Sequence, residues 1–253
     1  MTDQLSGLLD HVAVVTGAGS GIGRATALAF AAAGAHVLAV GRRAEPLRQT
    51  AGFHPRVAAL SADITADGAA QQVAEEAIRR WGRLDVLINN AGAVAMMPLA
   101  ETDATRLNDM LALNVTAPSL LARATLPHLR AARGSIVNIS STYGHRPLPG
   151  AAHYAATKAA IEQLTRSWAL ELAADGVRVN AVAPGPTESE ALAAAGLSEA
   201  EVERVKQEEA AGIPLGRRGT PEEVAAWIVR LADPAATWIT GQVLTVDGGL
   251  ELT

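Results

Sequence analysis

No cysteine occurs among the 253 residues, so disulfides, thiol nucleophiles and thiolate metal sites are excluded. Charge is also sparse: charged side chains make up 19%, with a formal net charge of −5. A nucleic-acid binder would carry a basic stripe. Here the arginines are scattered, and pairs such as Arg42-Arg43 and Arg217-Arg218 are too small for a duplex footprint. No apolar run is long enough to span a bilayer. Met1 to Asp10 lacks the basic start and long apolar stretch of a secretory signal, so a soluble cytoplasmic protein with no membrane or nucleic-acid partner is expected. No histidine pair has metal-ligand spacing with further ligands beside it, so no metal is expected. Tyrosine and lysine number only two each: Tyr143 and Tyr154, Lys158 and Lys206.

Apolar residues are plentiful at 49%, enough for a substantial core. Short β-rich runs alternate with longer Ala-rich helical runs. Strands are expected at His11–Thr16, Ala35–Val40, Arg56–Ser61, Leu84–Asn89, Ser135–Ser140, Val177–Ala183 and Gln242–Val246. Helices are expected at Gly21–Ala33, from Ala44, at Gly68–Trp81, across Asp103–Ala132 with a break near Pro118, at Ala151–Ala174, at Ser198–Ala211 and at Pro221–Leu231. This alternation implies βαβ units and an α/β fold with a seven-stranded parallel sheet. The strands read as near-continuous apolar runs, as expected when helices cover both faces. No linker or repeat divides the chain, so 1–253 reads as one domain, with 184–212 as a mobile substrate-binding segment within it.

Thr16-Gly17-Ala18-Gly19-Ser20-Gly21-Ile22-Gly23 follows the first strand and opens a helix. Glycines permit a tight turn and close approach of a pyrophosphate, and the helix N-terminus then faces the phosphates. A glycine run alone also makes ordinary turns, but the strand–turn–helix context required for dinucleotide binding is present. Tyr154 and Lys158, four apart on an expected helix, share one face. A tyrosine pKa near 10 is too high for an efficient base at neutral pH, and a nearby ammonium lowers it.

The TGxxxGIG spacing resembles the cofactor turn of the short-chain dehydrogenase/reductase family. Further matches are Asn89-Asn90-Ala91-Gly92 after the fourth strand, the Ser141…Tyr154-xxx-Lys158 arrangement, and Pro184-Gly185 after the sixth strand. They run on to Val246-Asp247-Gly248-Gly249, covering nearly the whole chain. The resemblance implies a Rossmann-like doubly wound sheet and hydride transfer between a nicotinamide cofactor and a ketone or secondary alcohol. Tyr154 is then the proton donor and acceptor, Lys158 its electrostatic tuner, and Ser141 the hydrogen-bond donor to the substrate oxygen. Ser140 competes with Ser141, but the thirteen-residue separation from Tyr154 favours Ser141. Asn114 resembles the family asparagine that holds a water linking the lysine to solvent; it could instead be a helix-kinking polar residue.

The resemblance also places Gly17, Ser20, Gly21, Ile22, Gly23, Asp63, Ile64, Asn90, Ala91, Gly92, Tyr154, Lys158, Pro184, Gly185 and Thr187 along the cofactor. Asp63 has the position of an adenine contact, with a turn N-cap as the other reading. Dinucleotide folds read the adenosine ribose at the end of the second strand, where an acid selects NAD. That position is Gly41, followed by Arg42 and Arg43, with no carboxylate before Glu45. Arginine grips a phosphate by charge-assisted pairs, so NADP(H) is expected over NAD(H), unless Arg42 and Arg43 are simply a solvated helix start. His145 reads as a pocket-wall residue, His153 as a helix-start residue, and Trp168, Trp227 and Trp238 as packing or interface residues.

The expected partner is a small carbonyl or alcohol, with 3-oxoacyl thioesters, sugars, polyols and xenobiotic ketones all open. The low basicity gives no special support to an acidic acyl-carrier partner, although Arg123, Arg130 and Arg133 could form a local patch. A regulator that has lost catalysis is a rival that the intact Ser141, Tyr154 and Lys158 oppose. Epimerases or dehydratases on this fold are usually longer. A dimer or tetramer is expected, through Trp238–Val246 and the long helices.

Overall fold

The computed structural model describes residues 6–189 and 198–253. Seven strands form one parallel sheet in the order β3-β2-β1-β4-β5-β6-β7. They are β1 (Val12–Thr16), β2 (His36–Gly41), β3 (Val57–Ser61), β4 (Val86–Asn89), β5 (Ser135–Ile139), β6 (Arg178–Pro184) and β7 (Val243–Val246). The helices are α1 (Gly21–Ala32), α2 (Ala44–Gly52), α3 (Ala69–Trp81), α4 (Ala104–Leu111), α5 (Ala117–Ala132), α6 (Ala152–Leu172), α7 (Glu199–Gly212) and α8 (Pro221–Ala232).

Alternate residues of β1 to β6 feed two separate cores, which explains the continuous apolar runs. Ala13 and Val15 of β1 join Phe30 of α1 and Ile228 of α8 on one face. Val12 and Val14 join Leu121 and Leu129 of α5 and Leu172 of α6 on the other. The interior strands are buried along their length, so their register admits no slip without exposing a whole face.

Strand order reverses between β1 and β4, which pair in parallel with Val15 opposite Ile88. In open parallel sheets, ligands bind in the crevice outside the carboxyl ends at such a switch point. Both the glycine turn after β1 and the Asn90–Gly92 segment after β4 open onto that crevice. The expected break in the 103–132 helix is a π-helical stretch, Ala112–Thr116, with Pro118 just beyond it in the first turn of α5, where proline is tolerated. No helix among the described residues is long and apolar enough to cross a membrane.

Candidate active site

The turn after β1 is shaped for close approach. Gly17 (φ 68°) and Gly21 (φ 50°) are left-handed, a conformation side chains resist. At Gly23 a Cβ would lie 2.3 Å from the Gly17 carbonyl oxygen and 2.5 Å from Asn90 Nδ2. Ser20 makes no side-chain cap, and the first turn of α1 holds no acidic residue. The helix therefore keeps amide N–H groups and its positive end for an anion. Ile22 is partly buried against the first core and Ile64 is buried in the second.

Three residues that sequence reasoning did not select hold this turn. Thr16 Oγ1 accepts from the Asn90 and Ala91 amides, both at 3.0 Å, and donates to the Ile88 carbonyl at 3.2 Å. Asn90 Nδ2 returns a bond to the Thr16 carbonyl at 2.8 Å. Arg24 donates to the Gly19 carbonyl at 2.5 Å and to Thr50 Oγ1 at 3.2 Å, while Thr50 donates to the Ala18 carbonyl at 3.0 Å. Thr16 opens the quoted glycine motif, so its place was signalled; Arg24 and Thr50 carried no signal. A cleft of about 270 Å³ beside the turn is lined by Gly21, Arg24, Glu188 and Ser189, among others. A larger one, about 340 Å³, lies near Trp227 and Val246 and touches none of Ser141, Tyr154 or Lys158.

At the end of β2, Arg42 and Arg43 are exposed, and neither has an ion-pair partner among the described residues. Glu45, the first carboxylate after β2, is engaged by Arg48 at 2.5 Å, which lowers its pKa through hydrogen bonding and charge. Asp63 shows the turn-capping geometry. Its Oδ1 accepts from Thr65 Oγ1 at 2.7 Å and Thr65 N at 3.0 Å, and these bonds depress its pKa.

Ser141, Tyr154 and Lys158 come together beyond β5. Ser140 Oγ donates to buried Glu162 at 2.8 Å, which takes it away from Tyr154. Ser141 Oγ accepts from the Tyr143 amide at 3.2 Å, and the Ser141 hydroxyl acts to lower the Tyr154 pKa. Tyr154 is half-buried, and burial raises its pKa above the usual value despite the opposing Ser141 hydroxyl. Lys158 is only 6% exposed; its Nζ donates to the Ile139 carbonyl at 2.8 Å and lies 5.8 Å from the Tyr154 ring centre. Burial lowers its pKa to about 8. The expected lowering of the phenol by Lys158 is not among the influences on Tyr154: desolvation, which disfavours both charged forms, sets the direction for each group.

Asn114 lies in the π-helical stretch, so it does sit at a helix irregularity. Its Oδ1 accepts from Ala93 N, and its Nδ2 donates to Ala93 O, both at 2.9 Å, and to Thr157 Oγ1 at 3.0 Å. A Cβ on Gly92 would stand 3.3 Å from both Asn114 Oδ1 and Lys158 Nζ, which brings these three residues together.

His145 does more than line a wall. Its Nδ1 is 3.0 Å from Glu162 Oε1 and its Nε2 2.7 Å from Glu251 Oε2, tying the loop after β5 to the C-terminal turn. Burial pulls its pKa down, but the bonds to Glu162 and Glu251 outweigh this and raise it. His153 meets Thr102 Oγ1 at 3.1 Å. Trp168 packs on the second core, whereas Trp238 is 97% exposed.

Pro184 ends β6, and Gly185 packs so closely on Asp247 that a Cβ would be 2.6 Å from the aspartate Cβ. Asp247 Oδ2 accepts from Thr142 Oγ1 at 3.0 Å, beside Ser141. Thr187 bridges to Gly219. Of the segment expected to be mobile, 190–197 lies outside the described residues, and Glu199–Gly212 is helix α7.

A glycine cradle at a switch point, next to a Ser–Tyr–Lys cluster, defines a dinucleotide-dependent oxidoreductase. A family model described as enoyl-(acyl carrier protein) reductase matches residues 17–251. The chain is 37% identical over 246 residues to a 3-oxoacyl-(acyl-carrier-protein) reductase of Thermotoga maritima, covering 95% of this chain and 98% of the relative. A short-chain dehydrogenase/reductase from Caenorhabditis elegans solved with cofactor superposes with TM-score 0.91 at 35% identity, over 97% of both chains. A 3-ketoacyl-(acyl-carrier-protein) reductase from Brucella melitensis complexed with NADH superposes with TM-score 0.89 at 31% identity, over 96% of this chain and 99% of that one. The chain belongs to the short-chain dehydrogenase/reductase family, and it is an NAD(P)-dependent enzyme.

Proposed function

We propose that the protein is an NADP(H)-dependent carbonyl reductase and secondary-alcohol dehydrogenase in which Tyr154 exchanges the proton. The observation that carries this reading is the buried Lys158, whose Nζ is held by the Ile139 carbonyl at 2.8 Å and lies 5.8 Å from the Tyr154 ring centre. When bound, the nicotinamide supplies or accepts a hydride at C4. In reduction, the Tyr154 hydroxyl gives its proton to the carbonyl oxygen as the carbonyl carbon gains the hydride. Ser141 donates a hydrogen bond to that same oxygen and stabilises its developing charge. The Lys158 ammonium stabilises the phenolate left on Tyr154. Asn114 keeps Ala93 and Thr157 in register beneath the lysine. Ser140 has no part in the reaction, because Glu162 occupies its hydroxyl.

The glycine turn, with Asn90 to Gly92, holds the pyrophosphate and ribose side. Arg42 and Arg43, exposed and without an ion pair among the described residues, follow the end of β2, where the ribose 2′ group would lie, which supports NADP(H). Asp63, already engaged with Thr65, offers the adenine only what its capping bonds leave free. An acidic acyl-carrier partner draws little support from the local arginines, since Arg130 is paired with Asp175 at 2.7 Å. Free ketones and 3-oxoacyl thioesters are both substrates of the proposed chemistry, and the panel below includes each. Exposed Trp238, together with Leu120 of α5 and Leu170 of α6, supports a homo-oligomer, which light scattering would measure.

A ketone panel assayed with NADPH, for wild type and Tyr154→Phe, tests the reading. Turnover is expected to fall by about 10²–10⁴-fold in the variant, the usual contribution of a general acid. NADPH binding should be nearly unchanged. Retained turnover removes Tyr154 from the mechanism.

A further inference from the structure

Arg218 is 8% exposed, yet it has no part in the reaction described above. Its guanidinium meets three groups. Nη2 donates to the Thr187 carbonyl at 2.6 Å, Nη1 donates to Glu209 of α7, and Nε forms an ion pair with Glu188 at 3.1 Å without hydrogen-bond geometry. Lys206 completes the cluster 2.5 Å from the other Glu188 oxygen. Two cations thus balance two carboxylates. Desolvating a guanidinium is costly, and buried ion pairs seldom raise stability over an apolar replacement. Fixed geometry is the better explanation of this cluster.

The geometry concerns the loop after β6. At one end Gly185 packs on Asp247, which binds Thr142 beside Ser141. At the other end the Ser189 Cβ comes within 3.6 Å of where a Gly21 Cβ would stand. The loop therefore runs from the reacting centre to the glycine turn, and Thr187 lies midway. Gly219 N donates to Pro186 O at 3.0 Å and Glu188 N donates to Gly219 O at 2.9 Å. Thr187 Oγ1 donates to Gly185 O at 2.9 Å, and Arg218 takes the Thr187 carbonyl. Among the described residues the Thr187 amide N–H has no partner, so it is a free donor whose direction its bonded neighbours fix.

We propose that Arg218 is a positioning residue that sets the Thr187 backbone against the nicotinamide half of the bound dinucleotide. This inference rests on the dinucleotide and Tyr154 reading above. It predicts a loss confined to one half of the cofactor, which a general loss of fold would not give.

Calorimetric titration of wild type, Arg218→Met, Arg218→Lys and Glu209→Gln tests it. The probes are NADP⁺ and NAD⁺, and the matching fragments without nicotinamide, 2′-phospho-ADP-ribose and ADP-ribose. Arg218→Met should weaken the preferred dinucleotide about tenfold, the loss expected of a charge-assisted bond. Its fragment should bind within about twofold of wild type. Arg218→Lys should recover part of the loss, and Glu209→Gln, which keeps Arg218, should stay within about threefold. Equal weakening of dinucleotide and fragment, or no weakening of either, overturns the proposal. If wild type binds none of the four probes, the dinucleotide reading falls, and this inference with it.

Discussion

On the NADP(H) reading proposed above, Gly41→Asp should invert cofactor choice. Gly41 ends β2 without a left-handed φ, and a Cβ there would stand 3.7 Å from Leu47 Cδ2, an ordinary contact. Gly41→Asp therefore needs no backbone shift. Its carboxylate would face the ribose 2′ position beside exposed Arg42 and Arg43. Two unit charges about 5 Å apart repel by about 0.8 kcal/mol in water and about 3 kcal/mol at an effective dielectric of 20. The half-exposed site lies between these limits, so NADPH should lose about 1–3 kcal/mol of binding, or about 5- to 150-fold. NADH gains a carboxylate acceptor for its 2′-hydroxyl, worth at most another 1.5–3 kcal/mol or so. The ratio of kcat/KM for NADPH to that for NADH, measured with one ketone for wild type and variant, should fall by about a hundredfold. A wild type with a tenfold preference for NADH would refute the NADP(H) reading. An unchanged ratio in Gly41→Asp would refute the placement of the ribose.

Thr16→Val keeps the side-chain shape but removes the acceptor shared by the Asn90 and Ala91 amides. Leaving these groups unsatisfied should cost about 2–4 kcal/mol in denaturant unfolding and raise the KM for the cofactor. His145→Gln tests the link to the C-terminal turn. Protonated His145 is held by Glu162 and Glu251 with a raised pKa. Its stabilisation is thus complete below the ordinary histidine value near 6.5 and is lost as pH rises through the raised one. The wild-type advantage in Tm should be largest in mild acid and fade towards alkaline pH; a constant difference would show that the histidine acts without its charge.

The strands were legible because burial on both faces leaves an uninterrupted apolar run, and the expected limits fall within two residues of those observed. The glycine turn was legible because its chemistry is local. What escaped depends on contacts far apart in sequence. A break near Pro118 was expected, but the bonds from Asn114 to Ala93 and Thr157 that accompany the π-helical stretch at 112–116 are announced by no local pattern. Asp63 had two readings, and Thr65 two residues on favoured the capping one. Arg217 and Arg218 looked like one scattered pair. The fold separates them: Arg217 pairs with Glu223 near the surface, while Arg218 is enclosed against Thr187. Adjacent residues of the same type differ here only through tertiary placement.

With Tyr154 as the proposed proton exchanger, the resting electrostatics around it favour one direction of proton transfer. Burial raises the Tyr154 phenol and lowers Lys158 to about 8. A raised phenol stays protonated at neutral pH, as a proton donor must. A lysine near 8 is still mostly cationic there, and can receive the negative charge that appears on the phenol oxygen. Oxidation needs the phenolate at the outset, which desolvation opposes. Above pH 8 the ammonium itself is lost, so a more alkaline medium removes the group that would stabilise that phenolate. Ketone reduction should therefore hold through neutral pH and fall with an apparent pKa near 8, as read from kcat/KM for the cofactor, which reports the free protein. Lys158→Arg, charged at every accessible pH, should lose that alkaline limb even if its activity is low. A wild-type profile that stays flat to pH 10 would mean that the Lys158 charge is not what sustains proton transfer from Tyr154.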